Sequence, residues 1–224
     1  MVDKPKLERQ VMCDRLAMEF QDGWIVNLGV GMPTLCSNYV DTSKEIITHS
    51  ENGVIGYGPI AEDGKEDRHL VNASGQFVTS QPGMSIVHHA DSFGVIRGGM
   101  VDVTVMGAYE VSENGDFANW RIPTRKGGGI GGAMDLAACA KRVFIALEHV
   151  TREGEPRLLN RCKLPITAPA VAKMVVTDLG LFEVTPEGFK LLENAPGWSP
   201  EDIQEVTEAK LIIADDLREI QLRS

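Results

Sequence analysis

No apolar run in this chain approaches the roughly 18 residues that a membrane-crossing helix needs. The stretch from Met1 to Gln10 is charged throughout rather than basic and then apolar, so neither a membrane anchor nor a cleaved leader is expected. Positive charge is also short: 32 acidic residues against 22 basic ones leave a net charge of -10. Nucleic acids and anionic membrane surfaces both require a basic face, and neither is an expected partner. Cysteines are few and scattered, at Cys13, Cys36, Cys139 and Cys162, with no C-x-x-C pair. That spacing argues against a structural zinc site or a disulfide framework and for a reducing compartment. No serine sits in G-x-S-x-G, and His49, His69, His88, His89 and His149 form no H-E-x-x-H or other close metal pattern. Serine hydrolases and zinc hydrolases therefore lose their signatures. The expectation is a single soluble, cytoplasmic domain over residues 1–224 that holds no metal and no tightly bound cofactor.

What is present is enough apolar material for a sizeable core, 43% of residues, arranged with a recognisable rhythm. Leu7, Val11, Met12, Leu16, Ala17 and Phe20 recur at helical spacing, and Gly23 ends that helix. Trp24 to Leu28 reads as a buried strand running into the glycine turn Gly29-Val30-Gly31, and Pro33 opens a helix to about Val40. A second strand, Glu45 to Thr48, leads to Glu51. Strand, turn, helix and strand in that order imply a parallel sheet with ligands at the carboxyl ends of its strands.

Short strands are expected at Gln76 to Thr79, Ser85 to His88 and Gly94 to Arg97, with His88 and His89 pointing opposite ways. Val101 to Met106 is expected as a core strand. Gly127 to Gly132 is a glycine loop feeding a helix from Ala133, followed by a strand at Val143 to Leu147. Later strands fall at Met174 to Thr177 and Leu211 to Ala214, with a helix from Pro200 to Glu208 capped by Ser199. The fold class is α/β, an open and mostly parallel sheet with helices on both faces.

The chemistry concentrates at Thr48-His49-Ser50-Glu51-Asn52-Gly53, where a carboxylate stands at the end of an extended run beside glycine. Two readings fit those residues: a Glu-Asn-Gly hairpin turn or a reactive carboxylate. A glutamate is ionised at neutral pH and attacks an acyl group without a separate base. The oxyanion that forms needs N–H donors, which a glycine loop at a helix start supplies at about 3 kcal/mol per donor. Neither glycine stretch fits the G-x-x-x-x-G-K-[ST] or G-x-G-x-x-G nucleotide patterns, and close helix–sheet packing also accounts for such glycines.

Taken together, Ser50-Glu51-Asn52-Gly53, Asn27-Leu28-Gly29-Val30-Gly31-Met32-Pro33-Thr34, Ile96-Arg97-Gly98-Gly99, Ala118-Asn119-Trp120 and Gly131-Gly132-Ala133-Met134-Asp135-Leu136 resemble the β (B) subunit of the family I coenzyme A transferases. The likeness runs on through Glu148-His149, Cys162 to Thr167 and Thr177-Asp178-Leu179, and is nearest to the B subunits that act on 3-oxoacids and short-chain acids. It implies the CoA-transferase fold and a ping-pong cycle in which Glu51 becomes a glutamyl-CoA thioester, with the CoA thioester entering as substrate. It further implies that Gly132 contributes an oxyanion-hole N–H, and that Asn27, Gly29, Gly31, Asn52 and Gly131 line the pocket around the glutamate and the thiol end of CoA. The partner implied is an α subunit, in an α2β2 or larger hetero-oligomer.

Two positions depart from the family pattern. Asn72-Ala73-Ser74-Gly75-Gln76 has glycine where many members carry lysine, which resembles the acetate or butyrate with acetoacetate branch. Thr124-Arg125-Lys126-Gly127 stands where a Gly-Lys followed by apolar residues is more usual, and Arg121, Arg125 and Lys126 form a local basic cluster, either for CoA phosphates or as a solvated turn. Competing readings are a sugar-phosphate isomerase on a similar open fold, with Glu51 as general base, and a non-catalytic subunit.

Overall fold

Strand alternation decides the layers. In a computed structural model that describes residues 4–221, side chains leave successive strand residues on opposite faces, and two separate apolar clusters result. The first elements are helix α1 (Arg9–Ala17), strand β1 (Ile25–Leu28), a 3₁₀ helix (Met32–Tyr39), β2 (Ile47–Ser50) and β3 (Val54–Ile55). Then come β4 (Ser85–Ile86), α2 (His89–Arg97), β5 (Val103–Gly107), β6 (Glu110–Ser112), β7 (Phe117–Ala118), α3 (Ala133–Cys139) and β8 (Val143–Ala146). The chain closes with β9 (Leu158–Leu159), β10 (Ala172–Thr177), β11 (Gly180–Thr185), β12 (Gly188–Asn194), α4 (Pro200–Glu205) and β13 (Ile212–Glu219).

Ten strands form one sheet in the order β13-β12-β11-β10-β8-β5-β1-β2-β3-β4. Its centre, β10-β8-β5-β1-β2, is parallel throughout, and the antiparallel pairs lie on its flanks. Val26, Leu28, Val103, Val105, Phe144 and Ala146 pack with Met12, Leu16 and Cys36, so α1 and the 3₁₀ helix cover one face. Met106, Val143 and Ile145 pack with Ile96, Leu136 and Ile203, which puts α2, α3 and α4 on the other. An open, largely parallel sheet with helices on both faces is the expected class. A second, three-stranded sheet in the order β7-β6-β9 lies outside that expectation.

Local chemistry explains where the elements differ from expectation. The helix after Pro33 is 3₁₀ rather than α: the Thr34 N–H and hydroxyl both donate to the Gly31 carbonyl, and the Ser37 hydroxyl donates to that of Thr34. These three-residue spacings tighten the turn. Gly94 to Arg97 lies in α2, not in a strand. The His88 side chain accepts from the Ala90 N–H as an N-cap, Asp91 occupies the first turn and Arg97 the last, and these end signals outweigh the β-branched Val95-Ile96 pair. His88 and His89 are therefore a cap and a first helical residue, not alternating strand positions. Gln76 to Thr79 makes only isolated bridges, Val71 with Phe77 and Ile60 with Val78. Ser199 caps α4 through a reciprocal capping box with Asp202.

Candidate active site

Three strand ends converge. In the parallel ladders Ile25 pairs with Ile47 and Leu28 with Val105, so β1, β2 and β5 finish side by side at their carboxyl ends. Gly29, Glu51 and Ala108 are the residues that emerge there. Glu51 sits in a three-residue turn joining β2 to the antiparallel β3, with Ser50 opposite Val54. The hairpin reading and the reactive-carboxylate reading are therefore compatible: the turn is what holds the carboxylate out beyond the sheet. Gly53, at φ +112° and with the place of a Cβ already taken by the Val87 carbonyl, admits no side chain there.

Glu51 is half-buried and stands between two cavities of about 440 and 540 Å³. The first is lined by Gly29, Val30, Met106 to Tyr109, Asn119 and the loop Gly129 to Ala133. The second is lined by His89, Ala90, Phe93, Arg97 and Asp135 on α2 and α3, and shares Gly131 and Gly132 with the first. Desolvation pushes the Glu51 carboxyl above its ordinary range; His89 and a hydrogen bond from the Gly132 backbone oppose that rise, and Asp135 adds to it. A partly desolvated carboxylate has lost part of the hydration shell that would otherwise blunt its attack.

The approach of Gly132 is close enough to demand glycine. A Cβ there would overlap the Glu51 carboxylate and lie 2.9 Å from the Phe93 ring. Gly131 adopts φ +52°, and a Cβ on it would lie 3.8 Å from the other carboxylate oxygen. The Ala133 N–H is spent on the Ile130 carbonyl, so the donor that faces Glu51 is Gly132 itself, not a fan of amides at the start of the seven-residue α3.

The remaining sequence candidates take other places. Gly29 lines the first cavity, its N–H donating to the Val105 carbonyl at 2.9 Å. Asn27 is 1% exposed and lies beneath the cavity floor, bonded to Thr104 and His49. Gly31 lines a separate cavity with Ser74 and Gln76, and its N–H donates to the Ser74 hydroxyl at 3.0 Å. Asn52 donates to the Val71 carbonyl at 2.8 Å, while the Ser50 hydroxyl accepts from the Ala73 N–H at 2.8 Å. Ser50 and Asn52 thus pin the segment before Gly75, which takes φ +72° in its turn. Arg121, Arg125 and Lys126 form an exposed turn ahead of the glycine loop, with Arg121 over the Trp120 ring. His89 and Phe93 line the second cavity with Glu51 although motif and spacing do not single them out, and Asp135 joins them from α3. The signal for His89 and Phe93 is the capped helix α2, hidden by the strand-like Val95-Ile96.

An ionisable carboxylate beside a glycine loop at the carboxyl edge of an open α/β sheet has the groups that nucleophilic acyl transfer requires. Residues 9–205 match the Coenzyme A transferase family. The chain is 41% identical over 215 residues to the B subunit of the 3-oxoadipate CoA-transferase of Acinetobacter baylyi, covering 93% of this chain and 97% of that one. It is 42% identical over 202 residues to the B subunit of the succinyl-CoA:3-ketoacid coenzyme A transferase of Helicobacter pylori, covering 90% and 97%. Among solved structures, an acyl-CoA transferase (YdiF) from Escherichia coli O157:H7 superposes with a TM-score of 0.74 at 19% identity, over 99% of this chain but 44% of that one. A single-residue variant of the decarboxylase AibA/AibB also scores 0.74, at 21% identity over 96% and 90%. The fold alone therefore does not choose the chemistry. The sequence relationship does: the chain belongs to the coenzyme A transferase family.

Proposed function

We propose that this chain is the B-type subunit of a CoA-transferase that moves CoA reversibly between an acyl-CoA and a free 3-oxo or short-chain acid. The single observation that carries the reading is the Glu51 carboxylate lying so close to Gly132 that no side chain fits between them, at the joint of two cavities. A carboxylate oxygen of Glu51 attacks the thioester carbon, and the carbonyl electrons move onto an oxyanion that the Gly132 N–H stabilises. Collapse expels the CoA thiolate and leaves a mixed anhydride. The thiolate then attacks the Glu51 carbonyl, releases the first acid and leaves a glutamyl-CoA thioester. A second carboxylate runs the same steps in reverse, so the thioester bond is conserved and no ATP is consumed.

CoA thioester enters as substrate, and no resident cofactor is required. The names of the relatives support a 3-oxoacid acceptor and a complementary A-type chain in a hetero-oligomer. Acetoacetate with an acetyl-, butyryl- or succinyl-CoA donor belongs to the same chemical class and is part of the test. Four free thiols support a reducing, cytoplasmic setting. Among the described residues no helix is long and apolar enough to cross a membrane.

The test is mass spectrometry of the complex reconstituted with its A-type partner. Incubation with acyl-CoA is expected to add CoA to the peptide containing Glu51, and exchange is expected with acetoacetate, 3-oxoadipate or short-chain acids. Exchange without any adduct at Glu51 would sink the covalent reading.

A further inference from the structure

Beneath Glu51 runs a row of polar side chains that pattern alone does not explain. In the register of the sheet His49 pairs with Asn27, and Asn27 with Thr104. Adjacent parallel strands put such partners on the same face, here the face covered by α2 and α3. All three are essentially inaccessible, as is Ser92 of α2, which closes the row from above.

The hydrogen bonds have one self-consistent direction. The Thr104 hydroxyl donates to Asn27 Oδ1 at 2.9 Å, which leaves the Asn27 amide N–H to donate to His49 Nδ1 at 2.9 Å. Nδ1 is therefore an acceptor, and His49 Nε2–H donates to the Ser92 hydroxyl at 3.1 Å. Ser92 passes its own proton towards the Ser50 carbonyl at 3.4 Å, the carbonyl that also receives the Gly53 N–H of the turn. A second proton on the imidazole would set N–H against N–H at Asn27. Burial opposes it as well, pulling the His49 pKa down to about 4.

We propose that His49, accepting from Asn27 and donating to Ser92, is a positioning residue that fixes the reach of Glu51 to the Gly132 amide. It ties the end of β2 to α2, and one turn of α2 presents Phe93, the ring against which Gly132 packs. Two polar bonds from Ser92 thus add a directional tie between strand end and helix to the apolar packing of Ile96. The proposal rests on the covalent role of Glu51, and the two fail differently: an absent adduct in the wild type defeats that role, whereas the proposal is judged on variants once the adduct is seen.

The experiment uses the assembled complex and three variants, His49→Leu, His49→Gln and Ser92→Ala. It measures kcat, KM for acyl-CoA, and the rate of adduct formation at Glu51 by rapid quench. His49→Leu keeps the volume and loses both bonds. Its adduct rate and kcat are expected to fall about 30-fold with KM within about twofold, the cost of a small misplacement of reacting atoms. His49→Gln, whose amide offers a donor nitrogen and an acceptor oxygen, is expected to stay within about threefold of wild type. Ser92→Ala, which removes one small group, is expected to lose about tenfold in kcat and decides the matter if the leucine variant does not assemble. Wild-type adduct rates in His49→Leu or Ser92→Ala overturn the proposal. So does a glutamine variant as slow as the leucine one, or a loss confined to KM.

Discussion

Two histidines are wholly buried in this chain, and they solve the same problem at two places along the carboxyl edge of one sheet. His49 lies between Asn27 and Ser92 at the end of β2. His149, beyond β8, lies between the Thr177 and Thr207 hydroxyls, at 3.0 and 2.8 Å. Thr207 gives its own proton to the Ile203 carbonyl, so His149, too, donates through Nε2 and accepts through Nδ1. Each imidazole is kept neutral by desolvation, and each satisfies both ring nitrogens, as a buried polar group must. The difference is what the tied element carries. Around His49 the strand runs on into Glu51 and the helix backs a glycine loop; around His149 the same device only fastens the C-terminal end of α4 to β10. A buried hydrogen-bonded histidine is thus no sign of a site by itself, and what stands two residues away decides its meaning.

The sharpest way to break the comparison is to neutralise one carboxylate at each place. Glu51→Gln is expected to lower exchange at least about 1,000-fold and to abolish the adduct, since a carboxamide neither attacks nor holds CoA. Asp178→Asn, at the buried carboxylate that accepts the backbone N–H of His149 at 2.6 Å, is expected to leave activity per folded molecule within about twofold, because Asp178 faces neither cavity. Next comes Gly132→Ala. Its methyl group meets the Glu51 carboxylate and Phe93, and a loss of about 100-fold in kcat is expected, because the N–H is kept but pushed out of place relative to the carboxylate.

His149→Leu tests the other side. Loss of two buried hydrogen bonds is expected to cost about 2–3 kcal/mol, read as a fall in Tm of about 5–10 °C, with kcat per folded molecule unchanged. A kcat loss as large as that of His49→Leu would erase the distinction between the two regions. The last comparison is with pH. Both imidazoles bind a proton in the unfolded chain near 6.5 but in the folded chain only near 4 for His49 and 3 for His149. Stability that is full above 6.5 is therefore lost as pH falls, by up to about 1.4 kcal/mol per pH unit for each histidine. Tm followed against pH should show the His49 share end near 4 and the His149 share continue to near 3. Each leucine variant should remove its own segment of the slope.

Much of this protein is legible without its fold, because its most telling signals are local. Glycines flanking a carboxylate, a capped α4 and the apolar strands at Val103, Val143 and Val175 follow from neighbours in the chain. Helix α2 reads as a strand because β-branched Val95 and Ile96 favour one, while its caps act only at its ends. Asn27, expected on the cavity wall, is buried instead between β1 and α2, bonded to His49 and Thr104, because its neighbours Val26 and Leu28 take the opposite face.

The order of residues by itself singled out the candidate carboxylate, Glu51, and the turn that presents it, since both are written within six consecutive positions. Tertiary structure decided what that carboxylate meets. Gly132 lies 81 positions away (132 − 51), and the row Thr104, Asn27 and His49 exists only because three parallel strands pair in one register. That register is chosen by the whole buried sheet, where a slip of one residue would turn every side chain to the wrong face. No local run of sequence contains it.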